Sequence, residues 1–354
     1  MELYDLGLTE WYLDDRQELE TGDLGRVISV NKDNYTVQNT FESFAAEITG
    51  RIRYNAESKM DLPAVGDWVK IQKYDELAII SDILPRKTEL KRKTAGKRVD
   101  YQMIATNINT AFIMQSLDVN FNINRLERYL TMVHENDIEA VILLSKKDLL
   151  NNEELQEKIL QIREHGIMEE VIPFSNKTLE GIDRFQSKLI RGHTFCLLGS
   201  SGVGKTTLIN RLIGENLFET GEIREKDQKG RHTTTIRQLV ILQSGGMIID
   251  TPGMRELGNI DITTGIKKTF NEIEELSKLC KFKNCTHTQE PKCAVLQAVA
   301  DGSVTSAHYQ NYLKLKRETR HNEMSYAEKR KKDKDFGKMT RKIIEEIKTR
   351  KGNR

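Results

Sequence analysis

Between residues 24 and 84, polar and apolar positions alternate over short runs: Arg26–Val30, Tyr35–Gln38, Phe44–Ile48, Trp68–Gln72 and Ala78–Ile83. Asn31–Asn34, Pro63 and Gly66 punctuate them. Period-two runs of this length are strands, and five in close succession predict a small barrel. An oligonucleotide-binding (OB) barrel is compatible, with Arg51, Arg53 and Tyr54 as RNA contacts, although Tyr54 is equally suited to packing. A basic connector follows (Arg86, Lys87, Lys91, Arg92, Lys93, Lys97, Arg98), and the pattern then changes. Apolar strands at Thr110–Met114, Ala140–Leu144, Val171–Phe174 and Thr194–Leu198 alternate with helical periods near Arg125–Asn136, Glu153–His165 and Gly181–Ile190. This rhythm predicts a mainly parallel sheet covered on both faces, with ligands at the carboxyl ends of its strands. Beyond Leu257 the sequence becomes helical and charged, interrupted by a cysteine cluster.

Composition narrows the class. At 354 residues with 38% hydrophobic side chains, the chain can bury two or three cores. No apolar run approaches the roughly 18 residues of a membrane helix, and the acidic N-terminus (Glu2, Asp5, Glu10, Asp14, Asp15) is unlike a signal peptide. A cytoplasmic monomer without membrane attachment is expected. The net charge of +2 is unevenly spread: Asn311–Arg354 holds sixteen Lys/Arg against seven Asp/Glu, which leaves residues 1–310 at −7. A basic tail of this kind suits phosphate neutralisation on nucleic acid, and a solvated amphipathic helix is the competing reading.

The most specific motif is Gly199-Ser200-Ser201-Gly202-Val203-Gly204-Lys205-Thr206, followed by Thr207, between the strand ending at Leu198 and a helix over Lys205–Leu212. In a P-loop the glycines let backbone N–H groups wrap phosphates, the lysine faces the β/γ oxygens and the Thr206 hydroxyl reaches Mg²⁺. Downstream, two strands (Gln238–Gln243 and Met247–Asp250) lead into Asp250-Thr-Pro-Gly253. There the carboxylate can hold the Mg²⁺ shell and Gly253 N–H the γ-phosphate. Between these motifs, Gly230-Arg-His-Thr-Thr-Thr235 offers Thr234, with Thr233 as its rival, to complete Mg²⁺ coordination.

An Asn-Lys-x-Asp guanine reader is absent downstream. Upstream, Ser145-Lys146-Lys147-Asp148 follows the strand Ala140–Leu144, and Phe174-Ser175-Asn176 follows the next strand. Asp148 can accept from guanine N1–H and N2–H₂, Lys146 can pack along the base, and Ser175 lies where a backbone contact would fall. A helix cap is the alternative reading of this tetrapeptide. Serine in place of asparagine removes one side-chain amide. Cys280-x₄-Cys285-x-His287-x₅-Cys293 forms a closed Cys₃His set suited to one structural Zn²⁺. Cys196, inside a strand, reads as core.

With base-reading motifs first and P-loop and switches after, the chain resembles the RsgA family of circularly permuted GTPases that depend on the small ribosomal subunit. The likeness is carried by Ser116-Leu-Asp-Val-Asn-Phe-Asn122, Arg125-Leu-Glu-Arg-Tyr-Leu130, Gly199–Thr207, Arg231–Thr235, Asp250–Gly253 and the cysteine cluster. It implies an α/β multidomain protein: an N-terminal OB-fold barrel (residues 1–95), a circularly permuted Ras-like P-loop GTPase domain (96–262), and a C-terminal helical zinc-binding domain with a basic tail (263–354). The implied partners are the small subunit and its rRNA, with GTP, GDP and Mg²⁺ at the nucleotide site. Met254 stands where many GTPases place a water-orienting glutamine, so slow intrinsic hydrolysis is expected, with His232 as the candidate catalytic group in cis. The competing function is a zinc-containing RNA-binding protein whose nucleotide pocket is structural.

Overall fold

A computed structural model of the chain describes residues 2–12, 23–31, 34–74, 77–93, 101–214, 237–250 and 262–323. Five strands alternate as expected: β1 (Leu24–Asn31), β2 (Asn34–Gln38), β3 (Ser43–Ile48), β4 (Trp68–Tyr74) and β5 (Leu77–Ile83). They pair in the order β1-β2-β3-β5-β4, and β4 returns to β1, so the sheet closes into a barrel without free edges. Every second side chain points inward: Val27, Tyr35, Val37, Phe44, Ala46, Val69, Ile71, Ala78 and Ile80 form its core. Arg51, Arg53 and Tyr54 lie on a short helix, α1 (Gly50–Asn55), capped by the Thr49 hydroxyl. Tyr54 is 90% exposed, which excludes the packing reading.

The basic connector is more structured than its charge suggests. Part of it is β6 (Glu89–Lys93), antiparallel to β7 (Tyr101–Thr106). Its apolar signal was masked by interleaved lysines, since only Leu90 of β6 is shown as core. Arg86 is no surface cation either. Its guanidinium pairs with the buried Asp67 carboxylate at 2.8 Å and donates to the Met60 and Leu62 carbonyls.

Beyond β7 come β8 (Thr110–Ser116), α2 (Ile123–Glu135), β9 (Glu139–Ser145), α3 (Asn152–Glu164), β10 (Glu170–Pro173), α4 (Ile182–Gln186), β11 (Thr194–Gly199), α5 (Lys205–Ile213), β12 (Arg237–Ile241) and β13 (Met247–Asp250). The helix expected over 181–190 is α-helical only to Gln186. Strands β10-β9-β8-β11-β13 run parallel, and β12 returns antiparallel to β13. All seven residues of β8 are buried, which is why it reads as a continuous apolar run. Strand β12 also pairs with β1 (Ser29↔Gln238, Val30↔Arg237), so barrel and parallel sheet form one eleven-stranded ladder.

A buried guanidinium reinforces that junction. Arg26, 1% exposed, donates to the Gly66 carbonyl of the barrel and the Asn107 carbonyl of the loop entering β8, each at 3.3 Å, and to Leu6 O near the N-terminus. It also lies 5.6 Å from the Trp68 ring centroid. Burial pulls it down to about 10, still charged at neutral pH.

Of the C-terminal helices α6 (Thr263–Thr269), α7 (Asn271–Ser277), α8 (Ala294–Ala300) and α9 (Ser306–Glu323), α6 and α9 dock on α2, and α7 packs on α6 and α8. Gly265 makes the closest approach: a Cβ there would meet Thr131 O at 1.9 Å, so only glycine lets α6 lie against α2. Around it sits a charged cluster. Glu127 of α2, fully buried, accepts from His165 Nδ1 at 2.7 Å, His308 Nδ1 at 2.5 Å and Asn311 Nδ2, while His308 Nε2 faces Glu272. Arg128 and Glu318 add a two-pronged pair at 2.7 and 2.9 Å. Among the described residues no helix is long and apolar enough to cross a membrane.

The cluster makes docking pH-dependent. Burial alone would lower His308, but hydrogen bonds and charges from Glu127 and Glu272 raise it from 6.5 to about 9. Burial would raise Glu127, and donors from His165, His308 and Asn311 hold it below the usual carboxylate range instead. The His308 contribution is therefore full below pH 6.5 and is lost as pH rises through about 9; that of Glu127 is lost as pH falls into the acid range. His308→Ala should destabilise by about 3–5 kcal/mol, as removal of one partner of a buried pair does, and should flatten the alkaline fall in melting temperature. An alkaline fall unchanged in that variant would assign it to other groups.

Candidate nucleotide site and metal centre

The strand order brings three loops together at the carboxyl edge of the sheet. β8 lies between β9 and β11, with Ser116 opposite Ser145 and Met114 opposite Gly199. The loop after β11 is the P-loop sequence. Gly199 turns out of the strand at φ 151, and a Cβ there would strike Met114 O at 2.6 Å, so β8 itself requires glycine at this position. Gly204 ends the loop and opens α5 with no side-chain cap, leaving the first turn of α5 to receive an anion. Lys205 Nζ closes over the loop, donating to the Gly199 and Ser200 carbonyls at 2.7 Å each. Ser200 Oγ is enclosed with no partner among the described residues, a donor left for a bound oxyanion. Thr206 is half-buried and Ser201, Gly202 and Thr207 are exposed at the mouth, while Val203 is buried beneath.

The Ser145–Asp148 segment adjoins this loop. Ser145 does not face solvent: its buried hydroxyl donates to Val203 O at 2.7 Å, tying β9 to the P-loop. Lys146 adopts a left-handed backbone (φ 62, ψ 37) and its ammonium meets Asp118 at 2.6 Å. Lys147 turns to Glu180, and its N–H bonds Phe174 O at 3.1 Å. Ser175 Oγ donates to Asp148 Oδ1 at 2.5 Å and accepts from the Lys177 and Thr178 amides, which fixes the carboxylate relative to β10. Asn176 Nδ2 donates to Gly204 O at 3.2 Å, a second tie between a base-side loop and the phosphate loop. The structure thus brings Ser145, Asp148, Ser175 and Gly199–Thr207 into one region. Asp250 ends β13 one strand away from β8, beside β11, with its side chain outside the described residues. Thr233, Thr234, His232 and Gly253 also lie outside them. Cys196 is fully buried in β11, and burial pushes its thiol up to about 12, as a core residue requires.

Sequence reading missed Asp118 and Asn176 as site-building side chains. A Ser-x-Asp turn after an apolar strand was the available signal for the first. It also missed Glu127, whose signal was a carboxylate among the apolar positions Leu126, Leu130 and Val133 of α2.

The second centre lies between α7 and α8. Cys280, Cys285, His287 and Cys293 bring four ligand atoms within 4.8 Å of one another. The measured edges are 3.6 Å (Cys280 Sγ to His287 Nδ1), 3.7 Å (Cys280 to Cys293) and 3.5 Å (Cys293 to His287 Nδ1). A tight turn presents the histidine: Glu290 accepts from the Thr286, Thr288 and Gln289 amides, His287 sits at φ 59, and Tyr309 OH donates to its carbonyl at 2.5 Å. Three thiols and one imidazole converging in this way can hold a metal ion.

A family model described as RsgA GTPase matches residues 83–260. The chain is 47% identical over 297 residues to small ribosomal subunit biogenesis GTPase RsgA 2 of Lactiplantibacillus plantarum, covering 83% of each chain. It is 40% identical over 327 residues to the protein of the same name from Vibrio vulnificus, covering 92% of this chain and 90% of that one. Among solved structures, YjeQ from Thermotoga maritima is similar in fold (TM-score 0.62, 24% identity, 84% and 98% covered). YloQ, a circularly permuted GTPase, superposes with TM-score 0.60 at 25% identity, covering 88% and 100%.

The placement of Asp148 generates a base-specific prediction. Asp148→Asn should weaken GDP binding by about 100-fold, the scale of lost hydrogen bonds to a charged acceptor, and should favour xanthosine diphosphate, whose extra carbonyl suits an amide donor. Equal GDP affinity in variant and parent, measured by fluorescent-nucleotide titration, would reduce Ser145–Asp148 to a helix cap.

Proposed function

The chain belongs to the RsgA GTPase family, and from that premise we propose that it binds the small ribosomal subunit, assists its late maturation, and hydrolyses GTP faster on the subunit than alone. The observation that carries this reading is the convergence of the P-loop, Asp148 and Ser175 at one sheet edge, with Ser145 and Asn176 bonded directly to P-loop carbonyls. Each half of a guanine nucleotide then meets its own loop: phosphates at Gly199–Thr207, the base at Ser145, Lys146, Lys147, Asp148 and Ser175.

In the reaction, water attacks the γ-phosphorus, the bond to the β–γ bridging oxygen breaks, and GDP and phosphate leave with release of a proton. Lys205 holds β- and γ-oxygens while the P-loop amides keep the chain in line, so catalysis is mainly positioning and charge stabilisation. Mg²⁺, when bound with GTP, supplies further positive charge at these oxygens. Thr206 on the first turn of α5 and Asp250 at the end of β13 are the residues to hold it, with Thr234 and Gly253 completing the site around the γ-phosphate. Met254 cannot orient water, so the stimulating group comes from His232 or from the subunit. Residues 1–95, 96–262 and 263–354 serve as barrel, GTPase and metal domains of a cytoplasmic monomer, with Tyr54, the metal domain and the basic tail directed at rRNA.

The metal is Zn²⁺, one per chain. Tetrahedral zinc with thiolates at about 2.3 Å and imidazole at about 2.0–2.1 Å has ligand–ligand edges of roughly 3.5–3.8 Å. The cluster's measured edges of 3.5, 3.6 and 3.7 Å fit it. Four protein ligands leave no open position for water, so the role is structural. Purified protein should carry one zinc, and Cys285→Ala should lower that content and loosen the region after Asn271 while leaving GDP affinity within about twofold, because unlinked sites behave independently. Metal analysis finding none in protein purified without chelator would remove the zinc assignment.

Turnover tests the larger reading. GTP hydrolysis should be slow alone, rise on addition of purified small subunits, and vanish in Lys205→Ala, which removes the phosphate-facing ammonium but nothing from the core. Nucleotide left intact after long incubation with subunits would refute the proposed switch.

A further inference from the structure

Asp118 ends the run out of β8, between the base-side strand β9 and the phosphate-side strand β11. One carboxylate oxygen accepts from Ser116 Oγ at 2.7 Å and from the Asn120 N–H at 2.9 Å. The other accepts from Lys146 Nζ at 2.6 Å. Ser116 is buried and stands opposite Ser145 in the β8–β9 ladder, so the carboxylate is fixed to the sheet independently of the lysine. Burial would raise its pKa, but the Lys146, Ser116 and Asn120 donors outweigh that and hold it near 2, so it is ionised at neutral pH. Lys146, for its part, has a left-handed backbone that non-glycine residues adopt only where their surroundings impose it. Its side chain therefore bridges the carboxyl ends of β9 and β8, two residues before Asp148, whose carboxylate Ser175 holds.

We propose that Asp118 is a positioning residue for guanine recognition: by anchoring the Lys146 ammonium it holds the lysine stem across the ends of β8 and β9 as one face of the slot that receives the base. This rests on Ser145–Asp148 being the base site. An unanchored lysine surrenders rotamer freedom when a base stacks on its stem, whereas an anchored one has done so already. The anchor thus raises affinity for a ligand with a base and leaves affinity for phosphates alone untouched. Neither Lys147, which turns to Glu180, nor Ser145, whose hydroxyl is spent on Val203, can replace it.

The test measures binding of GDP and of pyrophosphate to the full chain. Asp118→Asn keeps an oxygen for Ser116 and Asn120 but loses the charge. It should weaken GDP about three- to tenfold, the scale of a partly exposed charge-assisted hydrogen bond, and leave pyrophosphate unchanged. Lys146→Met keeps the stem without the ammonium and should weaken GDP by a similar factor, with the double variant no worse than either single one. Additive losses, an equal loss for pyrophosphate, or unchanged GDP affinity would each overturn the proposal. Should Asp118→Asn fail to fold, Lys146→Met alone decides by the same GDP-to-pyrophosphate comparison. Asp148→Asn measured alongside separates the two levels: without a shift toward xanthosine diphosphate the base site itself falls, and with that shift the Asp118 result bears on this inference alone.

Discussion

The register of β8 against both β9 and β11 is the constraint on which the nucleotide site depends. Parallel pairing places Ser116 beside Ser145 and Met114 beside Gly199, so three loops that leave these strands emerge side by side. Hydrogen bonds then lock them: Ser145 to Val203, Asn176 to Gly204 and Lys146 to Asp118. A site defined by strand order is indifferent to the order in which the chain visits the strands. That is why the loop near position 146 can lie beside the loop near position 205, and why a permuted sequence still brings both to one edge of the sheet.

The same sheet carries the flanking modules. Through β12 it continues into the barrel, and Arg26 reinforces the joint with donors to carbonyls on both sides. A buried guanidinium tolerates this only because its donors are met and Trp68 lies alongside it. On the opposite flank α2 carries the C-terminal helices through Gly265 and the Glu127 cluster. α2 also starts at Asn122, a few residues after Asp118, and Arg125 reaches back to the Asn120 carbonyl.

Local pattern decided much of this in advance. Alternation gave the barrel strands, continuous apolar runs the parallel strands, and the glycine spacing of residues 199–204 the phosphate loop, because each depends on residues near one another in sequence. The Cys₃His spacing was legible for the same reason. The strand Glu89–Lys93 was not, because a single buried leucine among basic residues makes no apolar pattern. Nor was the shortness of α4, since helical periodicity continues past Gln186 where the chain turns instead.

What the sequence by itself determined was the chemistry each segment offers: a lysine in a glycine-rich loop, a carboxylate after a strand, three thiols and an imidazole at short spacing. What only the tertiary structure decided was which polar groups are spent on one another. Arg86 pairs with Asp67, the Ser145 hydroxyl with the Val203 carbonyl, Glu127 with His165 and His308, and Asp118 with Lys146. Those pairings join residues 19 to 181 positions apart. Their physical reason is burial: once packing removes water from a charged or polar group, the nearest complementary group must replace it, and proximity in space carries no mark in the local sequence.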